Sequence, residues 1–304
     1  MAANGKVAHP MQTAAIRRYT MTEGGEAGLR VTEVDNGRLR FLLNESKALD
    51  IMQLFDGGVN LSFVSKNGFT ARELPFSRRF EGGMLYTVGL DSAGGRPGYE
   101  THGTLHNIPA RVTALRADDE ELSVSAEVQD TELFGKNLLL RRTVSTAPGS
   151  DTLTVRDTLI NRGTKPAPYC LLYHVNVGYP MLDEGVTIQD DAAEIIPRTP
   201  FAAARLSDRT LFTGAVDNEE ERCYFIRHRT PAVRVHNPRI GRAFCLAWSG
   251  DTLPCFVQWN SAASGDYALG IEPCTTFLDD RFVYTDIAPG AHVTFTLRMT
   301  VTRD

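Results

Sequence analysis

The sequence predicts an all-β protein, a sandwich or a barrel, on three observations. Short segments rich in β-branched and aromatic residues recur along the 304 residues, separated by Gly, Pro, Asn and Asp clusters. Almost no stretch carries the 3.6-residue period of an amphipathic helix. The Asn36-Gly37 pair sits between two alternating segments, the strongest short signal for a hairpin.

Taken in order, Gly28 to Asn36 and Arg38 to Leu43 form the first expected hairpin. Alternation around Ile51 and Leu54 turns at Asp56-Gly57-Gly58 and runs again through Val59 to Val64. Pro75 to Pro97 has no clean period and reads as loop with one embedded strand, Met84 to Leu90. Two strands between Arg111 and Val128 flank the acidic turn 118–121, and Lys136 to Ser145 and Thr152 to Ile160 alternate strongly about Pro148-Gly149-Ser150. After the Asn161 to Pro168 turn, Tyr169 to Val177 is a largely apolar strand. Val186 to Pro200 is expected to be irregular. Further short strands lie at Leu211 to Gly214, Cys223 to His228, Val233 to Val235, Ala243 to Trp248, Cys255 to Trp259, Tyr267 to Ile271 and His292 to Val301.

Composition narrows the function classes. Hydrophobic residues make up 42% and charged residues 23%, ample for a core, and the length allows one domain or two. A net charge of -5 argues against a nucleic-acid partner, which requires a basic face. Five cysteines, an odd number without C-x-x-C spacing, read as free thiols in a reducing compartment rather than disulfides or a zinc site. No apolar run is long enough to cross a bilayer, and the first fourteen residues lack the apolar run of a secretory signal. A cytoplasmic protein without a membrane partner is expected.

Histidines and carboxylates next to turns can carry chemistry in such a fold. His174 interrupts the apolar strand, so it is either a satisfied core histidine or lines a cavity. His102 and His106 have H-x-x-x-H spacing, but Gly103 and Pro109 argue against the helix that would put both rings on one metal. Glu272 ends an apolar strand before Pro273, as a core-edge ion pair or a catalytic carboxylate.

Four motifs join these pieces. Asn161-x-Gly-x-x-Pro-x-Pro leading into LLYHVNVGYP (171–180) resembles the histidine segment of the aldose 1-epimerases (galactose mutarotases), in particular a group with a Y-H-x-N-x-G-Y-P signature. EGGMLYTVGLDSAG (81–94), HGTLHNIPA (102–110) and GIEPCT (270–275) are similar to further segments of that superfamily, in the same order. Its N-R-x-x-x-G-x-F-x-L and P-F-D-F elements are not found, so a different reading of the sugar from that of free galactose or glucose is expected.

The resemblance implies a large antiparallel two-sheet β-sandwich, the galactose mutarotase-like supersandwich, with a sugar cleft across one sheet. Residues 21–304 would form that single domain after an N-terminal extension over 1–20. By position, His174 would be the general acid and Glu272 the general base of a cofactor-independent anomer interconversion on a small carbohydrate, with no metal required. His102 and His106 would contact sugar hydroxyls, and Asn176, Gln258 and Trp259 are further cleft candidates. Arg72, Arg78 and Arg79 are candidates for an anionic substituent, because guanidinium forks suit carboxylate or phosphate. Lys47 and Asp50 stand where the group often shows D-R-G-L-D-I, with Lys47 in the arginine position. Two alternatives are a non-catalytic carbohydrate-binding protein on the same scaffold, and a metal-dependent isomerase or lyase using His102, His106, His174 and Glu272.

Overall fold

Alternation explains most of the strands and both of the sheets. The computed structural model describes residues 5–304; residues 1–4, the start of the expected N-terminal extension, lie outside the described residues. The expected hairpin forms as β2 (Arg30–Asp35) and β3 (Leu39–Asn44), antiparallel about Asn36-Gly37. With β1 (Ala15–Thr20), β4 (Asp50–Asp56) and β5 (Val59–Asn60) they make a five-stranded sheet in sequence order.

The second sheet has thirteen antiparallel strands. In chain order they are β6 (Tyr86–Leu90), β7 (Arg111–Ala117), β8 (Leu122–Thr131), β9 (Asn137–Thr146), β10 (Thr152–Asn161), β11 (Ala167–Val177) and β12 (Thr187–Pro197). They continue as β13 (Arg222–Asn237), β14 (Arg242–Trp248), β15 (Cys255–Ser261), β16 (Ala268–Cys274), β17 (Thr285–Ile287) and β18 (His292–Arg303). The main path runs β17-β11-β16-β15-β13-β14-β18-β10-β9-β8-β7, with β6 on β11 and β12 on β13. The architecture is the expected galactose mutarotase-like two-sheet sandwich.

Three local readings differ. Val186 to Pro200 is not irregular but holds β12, whose register shifts at Asp190, Asp191 and Ala192 and whose partly exposed faces erase the alternation. Cys223 to His228 and Val233 to Val235 belong to one long strand, β13, that pairs first with β15 and then with β14. Leu211 to Gly214 makes a single bridge, Leu211 to Thr187, rather than a strand.

The main core lies between the sheets, where Phe41, Leu43 and Ile51 of the small sheet meet Leu140, Val155, Tyr173 and Leu297 of the large one. A second apolar cluster, including Tyr86, Leu172, Phe225 and Val257, covers the opposite face of β6, β11, β15 and β13. Covering both faces explains why β11 reads as a continuous apolar run. Leu171, Tyr173 and Val175 enter the core, while Cys170, Leu172 and His174 point to the other face. No helix among the described residues is long and apolar enough to cross a membrane.

Candidate active site

The pairing of β11 with β16 brings two of the sequence candidates together. The register matches Leu172 with Cys274 and Val175 with Ile271, which sets His174 directly across from Glu272 on the outer face. His174 Nε2 lies 3.2 Å from Glu272 Oε1. Gly270, two residues before Glu272 on the same face, leaves the room: a Cβ there would sit 2.2 Å from the Glu272 carboxylate.

Both groups line a cavity of about 560 Å³. Phe80, Trp259 and His102 ring His174, with ring centroids 5.4, 5.6 and 5.6 Å away. His102 sits in the loop after β6 with a left-handed backbone, φ +64, and the Gly94 N–H donates to its Nδ1 at 3.3 Å. A backbone amide can only donate, so a neutral His102 carries its proton on Nε2.

Burial dominates the electrostatics of this cluster. It pulls His174 down to about 3, with a smaller push from His102, and pulls His102 down to about 4, helped by the Arg198 charge. The same burial, with the Glu221 charge beyond it, raises Glu272 well above the usual carboxylate range. At neutral pH both imidazoles are neutral, and burial favours the protonated form of Glu272. The 3.2 Å contact is not aligned as a hydrogen bond, and His174 Nδ1 and Glu272 Oε1 are buried without a partner among the described residues.

The other sequence candidates do not line the cavity. Asn176 Nδ2 donates to the carbonyls of Gly83 and His174, and Gln258 is held by Arg209 and Asn260. Arg79 pairs with Glu100 at 3.0 Å, while Arg72 and Arg78 are exposed. His106 and Lys47 lie in a chain of alternating buried charges behind Tyr86. Asp157 takes both ends of the Arg142 guanidinium at 2.9 and 2.7 Å, and Arg142 reaches Asp50 at 2.5 Å. Asp50 meets His106 Nδ1 at 2.6 Å, Glu81 lies 3.4 Å from His106 Nε2, and Lys47 Nζ closes the chain on Glu81 at 2.8 Å. Burial opposes the charge on His106, but the hydrogen bonds and charges of Asp50 and Glu81 hold it above the usual histidine value. His106 is therefore not brought to His102, His174 and Glu272, and the four do not form one ligand set.

Several wall residues escaped the sequence reading. Arg198 and Glu221 pair at 3.5 Å, Glu221 also accepts from Trp259 Nε1 at 2.8 Å, and Lys66 meets Asp266 at 2.7 Å. They come from loops and strand ends without periodic signal. Trp259, the partner of Glu221 in β15, is by contrast one of the cleft candidates named from the sequence.

A family model described as a domain of unknown function (DUF4432) matches residues 26–299. None of the curated proteins matches the chain. Among solved structures, a Klebsiella pneumoniae protein provisionally named an aldose 1-epimerase aligns with a TM-score of 0.83 at 19% identity, over 95% of this chain and 83% of that one. A galactose mutarotase-like protein from Clostridium acetobutylicum aligns with a TM-score of 0.74 at 11% identity, over 96% of this chain and 100% of the other. A provisionally named mutarotase from Salmonella typhimurium gives 0.68 at 12% identity, over 95% and 94%. At these identities the likeness is one of fold.

Proposed function

The chain belongs to the DUF4432 family, and from that premise and its mutarotase-like fold we propose that it is a cofactor-independent aldose 1-epimerase. The observation that carries this reading is the His174–Glu272 pair, 3.2 Å apart and buried in a cavity with an aromatic wall.

Anomer interconversion needs one proton given to the ring oxygen and one taken from the anomeric hydroxyl, so that the ring opens to the aldehyde. Rotation about C1–C2 and closure on the other face give the second anomer. Two groups that share a single proton serve both directions. Opening begins once the bound sugar supplies the partners the pair lacks and the shared proton passes from Glu272 to His174; His174 then donates to the ring oxygen while Glu272 accepts from the anomeric hydroxyl. That step ends with a neutral imidazole and a protonated carboxyl, the state that burial favours in the free pocket. The closing step therefore starts from the resting state, with Glu272 returning its proton to the aldehyde oxygen as His174 takes one from the ring-forming hydroxyl. His102, with Nε2–H toward the cavity, is placed to donate to a sugar oxygen.

Exchange NMR of α/β interconversion on a panel of aldoses tests the reading. Wild type should accelerate exchange of at least one sugar, and His174→Ala and Glu272→Gln should each lose about 10²–10⁴-fold of kcat while keeping the β-sheet circular dichroism. The rate should show no step at the usual histidine value of 6.5, because His174 titrates near 3. A wild-type protein that accelerates no aldose would sink the proposal.

A further inference from the structure

The cavity also bears on which sugar it takes. We propose that it takes an uncharged sugar with a hydrocarbon group where common aldoses carry a hydroxyl, a deoxy sugar such as a 6-deoxyaldohexose. This rests on the epimerase reading above.

Charge is the first argument. The cavity wall carries two cations, Lys66 and Arg198, and each already meets a carboxylate of the same wall, Asp266 at 2.7 Å and Glu221 at 3.5 Å. No cation is in surplus. A phosphate or carboxylate on the substrate would face as many wall carboxylates as cations while losing its own hydration. The arginines that the sequence offers for an anion do not change this, since Arg79 is taken by Glu100 and none of the three lines the cavity.

The second argument is the supply of hydrogen-bonding groups. Around the reacting pair the wall is Phe63, Phe76, Phe80, Val257, Trp259 and Leu278. Two polar side chains that could have read hydroxyls beside them are committed to backbone. Ser65 Oγ donates to the Phe80 carbonyl at 2.6 Å, and Asn67 Nδ2 donates to the carbonyls of Phe80 and Ser77 at 2.9 and 3.3 Å. Trp259 Nε1 is likewise committed to Glu221. His102, His174 and Glu272 are matched to the anomeric end and the oxygens beside it. The remaining polar reach is at the two ion pairs, the hydroxyls of Ser77 and Thr101 and the Asn67 side-chain oxygen. Against the six apolar side chains around the reacting pair a sugar hydroxyl finds no side-chain acceptor, whereas a methyl group there finds the contact it prefers.

The test is exchange NMR on the wild-type protein with matched sugars. L-rhamnose is compared with L-mannose and D-fucose with D-galactose, and D-galacturonate and D-galactose 6-phosphate supply the charged arm. In at least one pair the deoxy member should exchange with a kcat/KM about tenfold or more above its parent, and neither charged sugar should exceed its neutral counterpart. Parents equal to or faster than the deoxy sugars in both pairs, or a charged sugar faster than D-galactose, would overturn the inference and leave the epimerase reading standing. Absence of acceleration on every aldose would overturn both.

Discussion

Two histidines in one molecule, both buried, are pushed in opposite directions. His106 lies in the chain Asp157–Arg142–Asp50–His106–Glu81–Lys47, where each charge meets one of the other sign, and its protonated form is favoured. His174 lies beside one carboxyl among aromatic rings and is kept neutral, while burial favours the protonated form of that carboxyl. Burial is common to both, so burial alone does not set the charge; the count of opposite partners does. The chain suits a structural role, since every charge in it is matched by an opposite one, even though His106 Nε2 meets Glu81 only at 3.4 Å without an aligned hydrogen bond. The pocket pair is under-partnered, with buried atoms lacking hydrogen bonds, and can exchange a proton with a substrate that replaces the missing partners.

The sharpest way to break this contrast is to remove the middle of the chain. Arg142 is fully buried and holds Asp157 and Asp50 together. Arg142→Met leaves two buried carboxylates without their main partner, and should cost about 3–5 kcal/mol of stability. Urea unfolding monitored by tryptophan fluorescence would read it as a lower midpoint at unchanged slope. A midpoint within error of wild type would mean that the chain is not the anchor described.

A second comparison sets the two histidines against each other by pH. His106 has a folded pKa raised above the unfolded 6.5, so its contribution is fully present below pH 6.5 and is lost as pH rises through the folded value. His106→Gln should therefore destabilise by about 1–3 kcal/mol at pH 6, and by less in alkaline solution. His174 has a folded pKa lowered to about 3, so the unfolded chain gains a proton below 6.5 that the folded one refuses. Wild type loses stability on this account as pH falls from 6.5 toward 3, and His174→Gln should be relatively more stable at pH 5 than at pH 7. Thermal unfolding of both variants across pH 5–8 checks the opposite signs; parallel curves would remove the distinction.

How much of this was legible follows from where each residue sits. The His174–Glu272 pair was readable because each interrupts or ends an apolar strand, and adjacent strands then put them face to face. The buried chain left a fainter signal. Leu140, Arg142 and Val144 share one phase of β9, and Val155, Asp157 and Leu159 share one phase of β10, so a charged residue occupies the core-facing phase of two strands paired at that point. The His106 expectation failed because H-x-x-x-H spacing says nothing about direction once the segment is not helical: His102 turns into the cavity, and His106 turns under the Tyr86 ring at 3.7 Å. Arg198, Glu221, Lys66 and Asp266 lie in loops and at strand ends, where no periodicity marks a side chain's direction.

The remaining effect concerns Glu272, and it has the sign opposite to the loss at Arg142. The folded pKa of Glu272 is raised, so below the unfolded 4.5 both states hold the proton and pH makes no difference. Above that value the unfolded chain releases the proton while the folded one retains it, and stability falls with rising pH until the folded group also ionises. Glu272→Gln keeps the shape of the protonated carboxyl without the titration. It should match wild type near pH 4.5 and become progressively more stable than wild type toward pH 8, as the rise in its thermal midpoint would show. The same variant loses the proposed catalytic proton transfer, so stability would rise where activity falls. A Glu272→Gln protein less stable than wild type at pH 8 would instead place Glu272 with the satisfied charges, as an ion-paired carboxylate and not a proton carrier.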